Sequence, residues 1–259
     1  IAKTLINNGA SALGVARLSE GMALRDAGIT QAIVLLEGVW SIEELTLAQQ
    51  CTLQVVIHHP QQVALIELFV QQQIIEEQQS ALNLWLKFDT GMHRLGLTAE
   101  QLIQAKQRIE HSIAQSKKLS SSVGLLTHFA CADEENNPFT AQQIAQFSQY
   151  AAQFSRRSMA NSAAIFSFPE SHADWNRPGI ALYGVSPFAD KSAQALQLKA
   201  VMTLKSRVIA LRQLKAGDHV GYGAHWTAAQ DTTIAVGAIG YGDGYPRMAP
   251  TGTPVLIND

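Results

Sequence analysis

Arg177-Pro178-Gly179, inside the stretch Asp174–Gly184 (DWNRPGIALYG), is the segment with the clearest chemical content. Pro178 fixes its own φ and biases Arg177 towards an extended backbone. Gly179 has no Cβ, so a ligand can approach its amide closely. A permanently charged guanidinium beside exposed N–H groups suits an anion or an electron-rich ring nitrogen, although an arginine in an ordinary loop ion pair would read the same. Other polar residues fall just after short apolar runs: Glu37, His58-His59, Asp89 with Arg94, His128 and Asn161-Ser162. Two tyrosines flanked by glycines, Tyr222 and Tyr241, stand in a later region, where tyrosines of this kind often serve only as turn residues.

The elements that must position these residues follow a regular order. Apolar runs at Leu13–Ala16, Ala32–Leu36, Leu53–Ile57, Leu84–Phe88, Val123–Leu126 and Ser158–Asn161 alternate with helical spacing at Ser19–Ala27, Ser41–Gln50, Pro60–Gln73, Ala99–Ser112 and Thr140–Phe154. Ser41 with Glu44, Pro60 and Thr140 supply helix-opening residues. Such βα units imply a parallel sheet. Their number fits a TIM (β/α)8 barrel whose first strand precedes Ile1, and barrels of this kind place their sites at the C-terminal strand ends. Asn161-Ser162 and Arg177–Ile180 follow the late strands, where a phosphate is often bound.

Beyond about residue 195 the pattern changes to strand-like runs at Val201–Leu211 and Thr232–Ile239, broken by glycine-rich turns. The expected division is a barrel over 1–197, N-terminally incomplete, and the incomplete start of a mostly β domain over 198–259. The opening IAKTLINNGA reads as a helix under way, and the closing GTPVLIND as a strand.

Composition limits the classes of function. The net charge of -2 gives no basic footprint for nucleic acid. No apolar run approaches the roughly 20 residues of a membrane span. Cys51 and Cys131 form no metal or redox motif and suit a reducing, cytoplasmic setting. A barrel metallohydrolase would use His58, His59, His128, Asp89 and a modified Lys87, but adjacent histidines on a strand point in different directions.

Seven segments together carry a more specific signal: LGVARLSEGMALRDAGI, LWLKFDTGMHRLGL, LLTHFACADE, MANSAAIF, DWNRPGIALYGVSPF, VGYGAHWTA and IGYGDGYPR. In this order, across both expected domains, the chain resembles the alanine racemases of proteobacterial type. The resemblance implies a pyridoxal 5'-phosphate enzyme, an isomerase that interconverts L- and D-alanine by two-base transfer of the α-proton. It further implies a cytoplasmic homodimer with active sites shared between subunits, supplying D-alanine for peptidoglycan or catabolising it.

The same resemblance assigns roles. Arg177 would face the cofactor's pyridine nitrogen and disfavour a second positive charge there, and Asn161, Ser162, Gly179 and Ile180 would hold its phosphate. Arg94 would meet the substrate carboxylate, next to Lys87, which matches a lysine carbamylated in many relatives. His128 would join a relay with Arg177 and the catalytic tyrosine. Tyr222 matches the base for L-alanine contributed by the second subunit, and Tyr241 a tyrosine lining the substrate's approach. The family's cofactor lysine motif would end just before Ile1, and Ser158 stands where some members carry histidine. A non-catalytic barrel that binds the same cofactor, or an inactive racemase fragment, is the alternative reading.

Overall fold

The computed structural model describes residues 1–73, 80–115 and 119–257, and the chain divides into two units, Ile1–Val201 and Met202–Asp259.

The first unit is built from βα repeats in sequence order. Helix α1 (Ala2–Asn7) leads into β1 (Ala12–Val15), α2 (Leu18–Asp26), β2 (Ala32–Leu35), α3 (Ile42–Gln50) and β3 (Gln54–Ile57). Then come α4 (Pro60–Gln73), β4 (Ser80–Lys87), α5 (Ala99–Gln115), β5 (Leu119–Leu126), α6 (Phe139–Ala151), β6 (Arg157–Ser158) and α7 (Ser162–Ser167). The sheet order is β1-β2-β3-β4-β5-β6, and every neighbouring pair is parallel. This is the strand–helix succession of a curled barrel sheet, as the apolar runs imply. The last run is shorter than expected: β6 ends at Ser158, and residues 159–161 already turn towards α7.

Alternation along the strands sorts side chains onto two faces. Ile33, Leu35, Val55, Ile57, Leu84, Leu86 and Leu125 belong to the large core shared with helix residues such as Leu45, Ile66, Ile109 and Phe147. Val34, Val56, Trp85 and Leu126 form a separate cluster on the other face, closed by Trp175. Both faces are thus buried, as a parallel sheet requires. Gly124 is needed on that second face, because a Cβ there would lie 2.5 Å from the Trp85 ring. Arg156 lies against the same indole, its Cζ 4.7 Å from the ring centroid, and donates to Gln54 Oε1 and to the carbonyls of Ser122 and Leu84.

Local signals explain the helix starts. Ser41 Oγ accepts the Glu44 amide at 3.2 Å, and Glu44 Oε2 takes the Trp40 amide at 2.7 Å. Thr140 does not cap α6: it sits within the first turn, its hydroxyl buried without a partner, and Asn137 Oδ1 takes the Phe139 amide instead.

The second unit contains two antiparallel pairs. Strand β7 (Val208–Leu214) pairs with β10 (Thr232–Gly237), and the short β8 (His219–Val220) pairs with β9 (Trp226–Thr227). The sequence places the first run seven residues earlier than the structure does; 201–207 form no strand. The expected terminal strand in GTPVLIND is also absent through residue 257, and its last two residues lie outside the described ones. Tyr222 and Tyr241 each open a 3₁₀ turn, and both are exposed.

Candidate active site

Arg177 is fastened by the loops that follow β5 and β6. Its Nη2 donates to the carbonyls of Thr127 and Met159, at 2.5 and 3.2 Å, and lies 3.4 Å from His128 Nδ1. Its Nη1 donates to Ser158 Oγ, and its backbone amide to the Ala160 carbonyl. Burial draws the guanidinium down to about 10, still high enough to keep its charge at neutral pH. A guanidinium has five N–H donors; the Nε–H and one Nη1–H have no protein acceptor among the described residues, so they remain for a ligand.

His128 is pushed down to about 4 by burial and by the positive charges of Arg177, Lys87 and Arg94. It is therefore neutral at physiological pH. Because Nδ1 faces a donor, its proton belongs on Nε2. Lys87, the last residue of β4, is buried and drawn down to about 8, first by burial and then by Arg94 and Arg177, against a smaller opposing pull from Asp89. Its amine makes no hydrogen bond or ion pair among the described residues.

Arg94 is exposed on a loop shaped by Asp89. The Asp89 carboxylate accepts the amides of Gly91 and His93, each at 3.0 Å, and the His93 imidazole at 3.0 Å. Burial raises the Asp89 pKa, but these hydrogen bonds outweigh it and hold the carboxyl below its usual range. Three cationic groups thus act on one half-buried histidine while the neighbouring carboxylate is spent on the loop.

Asn161 caps α7, its Oδ1 accepting the Ala164 amide at 3.0 Å. Ser162 Oγ accepts the amides of Gly179 and Ala181 at 2.8 and 3.4 Å. The loops after β6 and around Gly179 are thereby joined, and a Cβ on Gly179 would meet only Ser162 Oγ, at 3.9 Å. The sequence pairs Gly179 with Ile180 as phosphate donors; here the Gly179 amide is engaged with Ser162.

Glu37, His58 and His59 also lie at strand ends, but they are turned to structural use. His58 Nε2 bonds the Glu37 carbonyl at 2.9 Å, His59 Nδ1 accepts the Gln61 amide, and Trp40 lies against both imidazoles. Among the described residues no three His, Cys, Asp or Glu side chains converge as a metal site would require.

The family model described as "Alanine racemase, N-terminal domain" matches residues 1–187, and "Alanine racemase, C-terminal domain" matches 201–259. The chain belongs to the alanine racemase family. The alanine racemase of Aeromonas hydrophila subsp. hydrophila is 44% identical over 259 residues, covering 100% of this chain and 69% of that protein. That of Vibrio vulnificus is 45% identical over 251 residues, covering 96% of this chain and 67% of its own length. The crystal structure of the biosynthetic alanine racemase from Pseudomonas aeruginosa matches with a TM-score of 0.87 at 40% identity, over 98% of this chain and 68% of that one. An alanine racemase from Bartonella henselae, described with covalently bound pyridoxal phosphate, matches with a TM-score of 0.78 at 27% identity, over 95% and 66% of the two chains. The chain thus spans about two thirds of the length of these relatives.

Alanine racemases are amino-acid isomerases that depend on pyridoxal phosphate, and the residues present fit that group. The Ser162 hydroxyl hydrogen has no acceptor among the described residues and is available to a phosphate oxygen. Arg177 retains donors for a ring nitrogen.

Sequence reasoning missed the residues that hold this candidate site together. Gln143 Oε1 accepts the Ala130 amide at 3.0 Å, and its Nε2 donates to Thr90 Oγ1 and the His128 carbonyl at 3.0 and 3.2 Å. Thr90 and Thr127 share a hydrogen bond of 2.8 Å. The signal lay in α6, where Gln143 takes a core position beside Phe147; a polar residue on a buried helix face marks a network.

Proposed function

We propose that the protein interconverts L- and D-alanine by two-base transfer of the α-proton, with pyridoxal 5'-phosphate as cofactor. The observation that carries the reading is Arg177, a half-buried permanent cation with donors left over, joined through Pro178 to the Gly179–Ser162 contact. When bound, the cofactor supplies the electron withdrawal that acidifies the substrate's Cα–H. Arg177 offers the ring nitrogen a hydrogen bond but no transferable proton, which keeps the ring from becoming a full electron sink and favours return of the proton to carbon. Ser162, with the Ile180 amide and the Asn161 turn, holds the phosphate, and the Gly179 amide fixes the Ser162 hydroxyl that serves it.

Arg94 binds the substrate carboxylate and helps to place Tyr222. Tyr222, reaching in from the partner chain of a homodimer, removes or returns the proton on the L face, and a second base serves the opposite face. Tyr241 lines the approach. His128 stays neutral and relays between Arg177 and the tyrosine. Lys87 exists partly as the free amine near pH 8, so it can react with carbon dioxide; the resulting carbamate would place a negative charge between Arg94 and Arg177 and orient Arg94. The proposed setting is cytoplasmic, with D-alanine destined for peptidoglycan or catabolism.

Tyr222→Phe tests the assignment. Exchange of the α-proton from L-alanine should fall by ~10²–10⁴, the ordinary worth of a general base, while exchange from D-alanine in deuterated buffer persists. Equal losses for both enantiomers would remove Tyr222 from its face-specific role. Mixing Tyr222→Ala protein with an Arg177→Glu variant then checks the shared site: exchange of subunits should restore activity if the two residues serve one site from different chains.

A further inference from the structure

Ser158, the last residue of β6, is buried and sits between two groups of the same loop. Its hydroxyl donates to the Trp175 carbonyl at 2.6 Å, and it accepts from Arg177 Nη1 at 2.5 Å. The direction of both bonds follows from chemistry, since a carbonyl only accepts and a guanidinium only donates. A hydroxyl is the smallest side-chain group able to do both at once. Among the described residues Nη1 has no other partner, whereas Nη2 is shared among two carbonyls and His128.

The rest of the loop is tied independently of Ser158. The Trp175 amide donates to the Arg157 carbonyl, the Trp175 ring rests on Trp85 with centroids 5.3 Å apart, and Asp174 pairs with Arg157 at 3.0 Å. The Ser158 bridge therefore adds little to where the loop lies. It adds a constraint on how the guanidinium is turned.

We propose that Ser158 is a positioning residue for the racemase reaction: it fixes the rotation of the Arg177 guanidinium, and being uncharged it does so without altering the guanidinium's charge. The inference rests on Arg177 serving the cofactor's ring nitrogen. Rotational freedom at Nη1 would weaken that contact and loosen the bias against transamination.

The experiment compares Ser158→Ala and Ser158→Thr in the complete protein. Nitrogen-15 spectra of its arginines are recorded without cofactor, with the Arg177 signals assigned by their loss in Arg177→Lys. In the parent protein the Arg177 Nη protons should be distinct and slow to exchange. Ser158→Ala should merge them and speed exchange, and Ser158→Thr, which keeps the hydroxyl, should preserve them. A Ser158→Gly variant must reproduce the alanine result.

With cofactor bound, Ser158→Ala should lower kcat for racemisation about tenfold, the scale of one charge-assisted hydrogen bond, and raise the keto acid formed per racemisation. An unchanged Arg177 spectrum in Ser158→Ala overturns the proposal whatever the activity. Altered spectra with an unchanged product ratio overturn its link to the reaction. Failure of the parent protein to bind pyridoxal phosphate would instead sink the functional reading, which the cofactor-free spectra do not depend on.

Discussion

Gln62 and Gln143 perform the same task at an early and a late position along one sheet. Gln62, on α4, accepts the amides of His58 and His59 at 2.9 and 3.2 Å and donates to the carbonyls of Val39 and Glu37 at 3.3 and 3.4 Å, tying the loops after β2 and β3. Gln143, on α6, ties the loops after β4 and β5 to each other. The frameworks are alike, yet the loops they hold differ. On the early side His58 ends on a backbone carbonyl, and both histidine rings contact Trp40. On the late side, among the described residues, the Lys87 amine makes no hydrogen bond or ion pair and Arg177 keeps unused donors, and His128 is held neutral by burial and neighbouring charge. The proposed chemistry is assigned to the side whose polar capacity is left unspent.

The strongest challenge to that contrast is Arg177→Glu set beside His58→Asn. The first should cut alanine racemisation by on the order of 10²-fold or more, as removal of a preorganised electrostatic partner does. It should also raise keto acid formation, because a carboxylate favours a protonated ring nitrogen. His58→Asn should cost some stability and leave kcat close to that of the parent protein. Coupled racemase assays with product analysis decide it; a comparable loss of kcat in both variants would erase the distinction between the two sides.

Replacing the glutamines sharpens the comparison. Gln143→Leu strands the Ala130 amide, the His128 carbonyl and a bond of Thr90, and Gln62→Leu strands an equivalent set. A buried polar group left without its partner costs ~1–3 kcal/mol, so each variant should lose about 3 kcal/mol in denaturant melts. Only Gln143→Leu should also lower kcat, through His128. Equal kinetic effects would mean that the early loops take part in the reaction.

Part of this arrangement is legible in the sequence. Strand order, the turn around Arg177 and the polar residues at strand ends can be read from sequence because each depends on local periodicity or on one residue's special geometry. The glutamine frameworks cannot, since Gln143 is linked to Thr90 across 53 positions. Nor could the sequence tell which strand-end histidine is spent on structure: His58 and His128 both follow a β-strand, and only the groups packed around them separate their roles. The seven segments shared with alanine racemases carried the assignment of roles; composition alone excluded classes without choosing one. In the second unit, β7 begins later than the apolar run because its ladder with β10 starts only at Val208.

Acidification gives the smallest and most discriminating effect. In the cofactor-free protein His128 titrates near 4 rather than at its ordinary 6.5. Between those values the unfolded chain binds a proton that the folded chain does not, so stability falls as pH drops through this window and is flat in this group above it. His58 is also lowered, by burial first, but its bond to the Glu37 carbonyl supports the charged form, and the charges acting against it are those of Lys87 and His59. His128 faces Arg177, Lys87 and Arg94. His128→Gln should therefore flatten the acid limb of a stability–pH curve more than His58→Gln does. Lys87 provides the matching alkaline test: lowered from 10.5 to about 8, it should make stability rise with pH across that interval, and Lys87→Met should remove the rise. Denaturant melts at a series of pH values measure both limbs. A larger flattening from His58→Gln would place the uncompensated charge on the early side of the sheet and reverse the contrast between the two glutamine-held regions.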